Sequence, residues 1–227
     1  MDFTLMAGFF AGLISILNPV GMAPVFLDYV RTDSAEVQRA VALLMGISIL
    51  GFLLVFFFLG GAVLGAFGIT MPAFRIAGGV LIFTGGLGMM TGRNNFAEEG
   101  IETKSGGKNP FAQAGIRLSS IIVPVAMPLI VGPGAITTVI LFHAQARGPA
   151  NYAGMVLVIV SAAAIVTALL YSAGYVYKIL GANGMQIVMR FMGLILCAMA
   201  VQFMIDGVSQ LLPGVLNAVY VSPSSHQ

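Results

Sequence analysis

The chain has 227 residues, of which 59% are hydrophobic and 8% charged, with a mean hydropathy of +1.00. So few charges cannot cover a soluble domain of this size, and the composition describes an integral membrane protein in a lipid bilayer. A net charge of +2 without a basic run argues against a nucleic-acid partner, and the single cysteine, Cys197, leaves no disulfide or cysteine-ligated metal cluster to build.

The start, Met1-Asp2-Phe3-Thr4, lacks the basic residues of a secretory signal, so the first apolar segment is expected to be kept. Six apolar segments are predicted to span the membrane, at 3–28, 38–66, 72–91, 117–143, 151–177 and 185–211; each has roughly the 20 residues a spanning helix needs. The second is longer than required and is expected to tilt or protrude. Arg31 to Arg39 is a short charged link, with Asp33 or Ser34 placed to cap the helix that follows. Residues 92–116 form the one long loop, rich in Gly, Asn, Lys and Glu and expected to be mobile, and the 213–227 tail is expected to fray. Arg31, Arg39, Arg93, Lys104, Lys108, Arg117, Lys178 and Arg190 fall on one side of the predicted membrane, against Arg75 and Arg147 on the other. Basic residues favour the cytoplasm, so the 93–115 loop is expected inside the cell and both termini and the tail outside a bacterial inner membrane.

The sequence also repeats. Leu64-Gly65-Ala66 is echoed by Leu180-Gly181-Ala182 at an offset of 116. Arg75 aligns with Arg190, Gly78 with Gly193 and Met89 with Met204 at 115, and Pro19 aligns with Pro133 at 114. Two three-helix repeats are therefore expected, at 1–91 and 117–212. Three is odd, so the second is inverted relative to the first. Inverted repeats with paired interrupted helices mark secondary transporters, which bind their substrate between the halves.

The interruptions are predicted in helices 1 and 4. Asn18-Pro19-Val20-Gly21-Met22-Ala23-Pro24 and Met127-Pro128-Leu129-Ile130-Val131-Gly132-Pro133-Gly134 each carry two prolines five residues apart within an apolar run. Proline removes a donor and clashes with the preceding turn, and unpaired backbone at membrane depth survives only against protein or a cavity. Asn18 before Pro19, and Gly132 before Pro133, read as caps of second half-helices. Two half-helix N-termini offer N–H groups and a positive dipole end to a carboxylate. The carbonyls ending the first half-helices, with the Asn18 side-chain oxygen, suit an ammonium group, so the expected ligand is a small zwitterionic amino acid. Gly21, Gly134 and Thr137 keep the space small, and Met127 borders it.

Weaker candidates surround this pair. Arg75 and Asp206 are expected near the same membrane face, as a gate or an ion pair. Asp28 reads as a solvated helix end and His143 as too isolated for a metal site. The Gly8/Gly12, Gly61/Gly65 and Gly88/Gly92 pairs read as packing surfaces, which would also permit a homo-oligomer. Phe52 and Phe56 to Phe58 are expected to face lipid. No nucleophile–histidine pair, paired intramembrane acids or phosphate loop is present, so an enzyme is not expected.

These residues resemble the MarC family of bacterial inner-membrane proteins. The resemblance rests on Asn18-Pro19, Phe67-Gly68-Ile69, Pro72, Arg75-Ile76-Ala77-Gly78-Gly79, Ala126-Met127-Pro128 and Gly132-Pro133-Gly134. Arg190, Met192-Gly193, Gln202-Phe203 and Gly207 extend it to the last helix. It implies an all-α, six-helix inverted-repeat transporter with substrate at the breaks of helices 1 and 4. Together with the site chemistry, the expected function is secondary transport of small neutral amino acids of the glycine, alanine and serine class. No cofactor is expected beyond a coupling proton or sodium ion. The alternatives are a passive channel, an exporter of another small solute, or a non-transporting regulator acting through the 93–115 loop.

Overall fold

The computed structural model describes residues 2–30, 32–91, 110–121 and 130–211, and every regular element among them is helical. The elements are α1 (Phe3–Leu17), α2 (Pro19–Val30), α3 (Ala35–Ala66), α4 (Met71–Thr91), α5 (Pro110–Ile121), α6 (Pro133–Gln145) and α7 (Pro149–Leu211). Five stretches are long and apolar enough to cross a membrane: Phe3–Leu27, Ala35–Ala66, Met71–Thr91, Pro149–Gly181 and Asn183–Leu211. The predicted span at 117–143 is instead divided between α5 and α6, and residues 122–129 lie outside the described set.

Helix starts follow local chemistry. The Asp2 carboxylate accepts from the N–H groups of Thr4 and Leu5 at 3.1 and 3.2 Å, capping α1. Of the two candidate caps for α3, Ser34 serves: its hydroxyl accepts from the Val37 N–H at 3.4 Å, and the helix starts three residues before the predicted 38. Gln38 fastens the α2–α3 link by donating to the carbonyls of Val30 and Asp33, both at 3.0 Å.

One stripe of each long helix is buried. Along α3 it runs through Val37, Val41, Met45, Ile49, Leu53 and Phe57, a step of four. The other faces are apolar as well: Leu43, Ile47, Val55, Phe58 and Leu59 of α3, and Leu157, Val160 and Ile165 of α7, are exposed. A helix that is apolar all round belongs in lipid. Phe57, expected to face lipid, is instead 1% exposed and closes an aromatic cluster with His143 and Tyr152, at centroid distances of 4.8 and 6.4 Å. Phe52 and Phe56 pack partly against the core, and Phe58 alone of that group is largely exposed.

α7 contains a turn with no loop. At Gly181 the backbone takes φ 65° and ψ 179°, a conformation open in practice to glycine alone, and the helix divides into arms Pro149–Gly181 and Asn183–Leu211. The predicted break between 177 and 185 is thus one residue wide. In the first half the positive-φ glycine is Gly68 rather than Gly65, the repeat partner of Gly181.

α4 and the second arm of α7 run antiparallel in close contact. A Cβ placed at Gly79 would lie 2.8 Å from the Ala200 carbonyl oxygen; at Gly86, 2.8 Å from that of Gly193; at Gly207, 2.9 Å from that of Pro72. These small residues recur every seven, which returns a helix to the same face after two turns. The predicted packing glycines behave differently: a Cβ at Gly8, Gly12 or Gly65 would meet nothing within 4 Å, and at Gly61 only the Ile140 side chain at 4.0 Å. Gly92 lies outside the described residues.

Candidate functional site

The break in the first span is a single residue. Asn18 takes φ 42° and ψ 57°, the one positive φ at a non-glycine among the described residues. Pro19 has no N–H to continue α1, and asparagine is among the few side chains that tolerate the left-handed region. Asn18 serves both helices. Its N–H donates to the Ile14 carbonyl at 3.0 Å, its carbonyl accepts from Met22 at 3.1 Å, and its Oδ1 accepts from the Gly21 N–H at 3.3 Å. The α2 N-terminus is therefore partly satisfied by its own cap rather than open as expected. Pro24, read as the second half of the break, sits inside α2 and does not end it.

α6 begins differently. Gly132 is its cap, in extended conformation, and supplies no side-chain hydrogen bond; Pro133 occupies the first helical position. Without a cap, the first N–H groups of α6 are left to a neighbour or a ligand. α6 packs against α1, α3 and α4. At Gly134 an added Cβ would stand 3.1 Å from Ile82 Cδ1, 3.2 Å from Ile16 Cγ2 and 3.4 Å from Phe203 Cε2, so α1, α4 and the second arm of α7 converge on this glycine. Further along, the Phe9 and Phe142 rings stack at 4.7 Å.

Between these elements lies a cavity of about 10 Å³, lined by Gly132 and Gly134 with Ile16, Ile82, Ile130, Leu196, Met199 and Phe203. That is room for about one water molecule. An amino acid does not fit unless these helices part.

Two polar residues are buried among the described set, Asn18 at 8% and Thr137 at 1% exposure. Asn18 Nδ2 and Thr137 Oγ1 each lack a hydrogen-bond partner. A buried donor left unpaired costs about 1–3 kcal/mol, and these two belong to the interruption at Asn18 and to the helix that starts at the second. Thr138, one residue on, returns its hydroxyl to the Gly134 carbonyl at 2.9 Å and is satisfied.

The remaining candidates divide. Pro19, Gly21, Gly132 and Gly134 are buried beside the interruptions, whereas Val20 is 50% exposed on the outside of the bundle. Met127 lies outside the described residues, as does the side chain of Asp28. Arg75 and Asp206 form no ion pair: the Arg75 Nε is buried without a partner, and Asp206 Oδ1 accepts from Gln202 Nε2 at 2.8 Å, one helical turn away. The sequence reading missed the apolar wall around Gly134 and the role of Met192, whose Cβ would stand 2.8 Å from one on Gly21. The seven-residue recurrence of small residues on α4 and α7 was the available signal, since it fixes which faces meet.

A chain whose described elements are all helical, with five apolar spans among them and lipid-type outer faces, is an integral, multi-pass membrane protein. Residues 3–212 match the family described as MarC family integral membrane protein, and the chain belongs to that family. It is 32% identical over 216 residues to UPF0056 membrane protein YhcE of Escherichia coli (strain K12), covering 95% of this chain and 97% of that one. It is 34% identical over 201 residues to a UPF0056 membrane protein of Pyrococcus horikoshii, covering 88% and 92% respectively. A third, from Aquifex aeolicus, is 32% identical over 205 residues, covering 89% and 92%. No solved structure matches the chain.

Proposed function

We propose that this protein is a secondary transporter of small neutral amino acids, binding its substrate between the interruptions of helices 1 and 4. The observation that carries the reading is the pair of unpartnered buried donors: Asn18 Nδ2 sits at the first break and Thr137 Oγ1 one turn into α6. Stable folds pair such groups, and a substrate carboxylate would pair both. The uncapped start of α6 adds backbone donors and a positive dipole end. The inverted repeat is supported by the contact between Cys197 Sγ and the Phe83 carbonyl at 3.7 Å. These residues sit 114 apart at the middle of the antiparallel α4–α7 contact, which is where a two-fold axis relating the halves would pass.

In this reading the conformation described is closed around the site, and alternating access requires the repeats to rock apart. The coupling species is a proton or a sodium ion. The test is counterflow of labelled alanine or glycine in proteoliposomes. Asn18→Ser keeps a neutral cap and should retain part of the uptake. Asn18→Asp, which sets a negative charge beside the substrate carboxylate, should lose at least tenfold. Equal activity of the two variants refutes the role of Asn18, and absence of saturable counterflow by the parent chain refutes the transporter.

A further inference from the structure

A second and much larger space opens at the end of the bundle that holds the α2–α3 link and the Gly181 turn. It measures about 1380 Å³, well above the usual size of a small-molecule pocket and two orders above the cavity at Gly134. Three cations reach it from three separate stretches: Arg39 from the first turns of α3, Lys178 from the end of the first arm of α7, and Arg190 from the second arm. No aspartate or glutamate is among the described lining residues, and none of the three cations makes an ion pair among the described residues. The neighbouring acids of the link, Asp33 and Glu36, do not line it.

Surface lysines and arginines usually extend into water independently of one another. Here they are set around one concave space, and Arg39 is held in place, its Cζ lying 5.5 Å from the centroid of the Tyr171 ring. Tyr175 and Tyr177 line the same wall and are exposed, which adds hydroxyl donors beside an apolar surface. Tyrosines of this kind collect at the level of lipid headgroups. Gathered cations with hydroxyl and amide donors and no described acid suit an anion with several oxygens, and basic pockets between helices hold lipid headgroups elsewhere.

We propose that this cavity binds a phosphate-bearing anion, either the headgroup of an anionic phospholipid or a soluble phosphate ester. The proposal is independent of the transport reading and concerns different residues. Its test is the thermal midpoint of the purified full-length protein, titrated separately with phosphatidylglycerol, phosphatidylcholine and glycerol phosphate. Phosphatidylglycerol should raise the midpoint more than phosphatidylcholine, and the difference should shrink as salt is added. Arg39→Gln, Lys178→Gln and Arg190→Gln should each weaken the response about fivefold, and the triple variant should abolish it. A response to glycerol phosphate that vanishes in the triple variant also supports the site and makes the soluble ester a ligand. A response confined to phosphatidylglycerol assigns it to lipid. The three residues are exposed, so the variants should fold; if the triple variant does not, the single variants decide. The proposal is overturned if the variants respond as the parent does, or if neither anion outperforms phosphatidylcholine.

Discussion

Replacing Gly86 with alanine puts a methyl group where α4 and the second arm of α7 leave no room. The new Cβ would stand 2.8 Å from the Gly193 carbonyl oxygen and 3.0 Å from the Cys197 amide nitrogen, both of them backbone atoms that no rotamer change can move aside. A carbon–oxygen contact settles at about 3.3–3.6 Å, so the helices must separate by roughly half an ångström along their shared face. Overpacking of this kind costs about 1–3 kcal/mol, while alanine's helix propensity returns about 1. Gly8→Ala isolates the two effects, because its Cβ meets nothing within 4 Å and carries the propensity gain alone. The gap between the variants is then the packing cost. At about 2–4 °C per kcal/mol for a chain of this length, Gly86→Ala should melt about 2–12 °C below Gly8→Ala in a circular-dichroism scan in detergent. Reaction of Cys197 with a thiol dye supplies a second readout from the same interface. If Gly86→Ala melts with or above Gly8→Ala, the close antiparallel contact is wrong.

Other outcomes follow from the same geometry. Thr137→Val keeps the shape and removes an unpaired buried hydroxyl, so the melting point should hold or rise while amino acid uptake falls at least tenfold; unchanged uptake would show that the hydroxyl does not meet substrate. Gly134→Val pushes carbons against Ile82, Ile16 and Phe203 and should abolish uptake in proteoliposomes; normal uptake would contradict the convergence at α6. Phe57→Ala, at 1% exposure, should cost about 3–5 kcal/mol in a denaturant titration, whereas Phe58→Ala, at 54%, should cost under 1.

The spans were legible because hydropathy requires no tertiary knowledge, and the break at Asn18 because Pro19 forbids a continuous helix there. Pro24 misled for an equally local reason. A proline inside a helix forfeits a single hydrogen bond, and packing carries α2 through it. Within the chain the close helix contact is made by residues seven apart on α4 and α7 rather than by the four-residue glycine pairs, of which Gly8, Gly12 and Gly65 face open space. Phe57 was misassigned for want of the four-residue stripe along α3 that turns it inward and leaves Phe58 outside. The apolar wall around Gly134 draws on four elements far apart in the chain, and no local pattern announces such a meeting.

That wall also bears on bioenergetics. A membrane stores about 2.3 kcal/mol per elementary charge for every 100 mV, and any continuous thread of water through a protein dissipates it. Ile16, Ile82, Ile130, Leu196, Met199 and Phe203 leave space for about one water molecule at the start of α6, and a single molecule is not a chain along which a proton can pass. At the start of α6, then, six side chains that contain no hydrogen-bonding oxygen or nitrogen leave no room for such a thread.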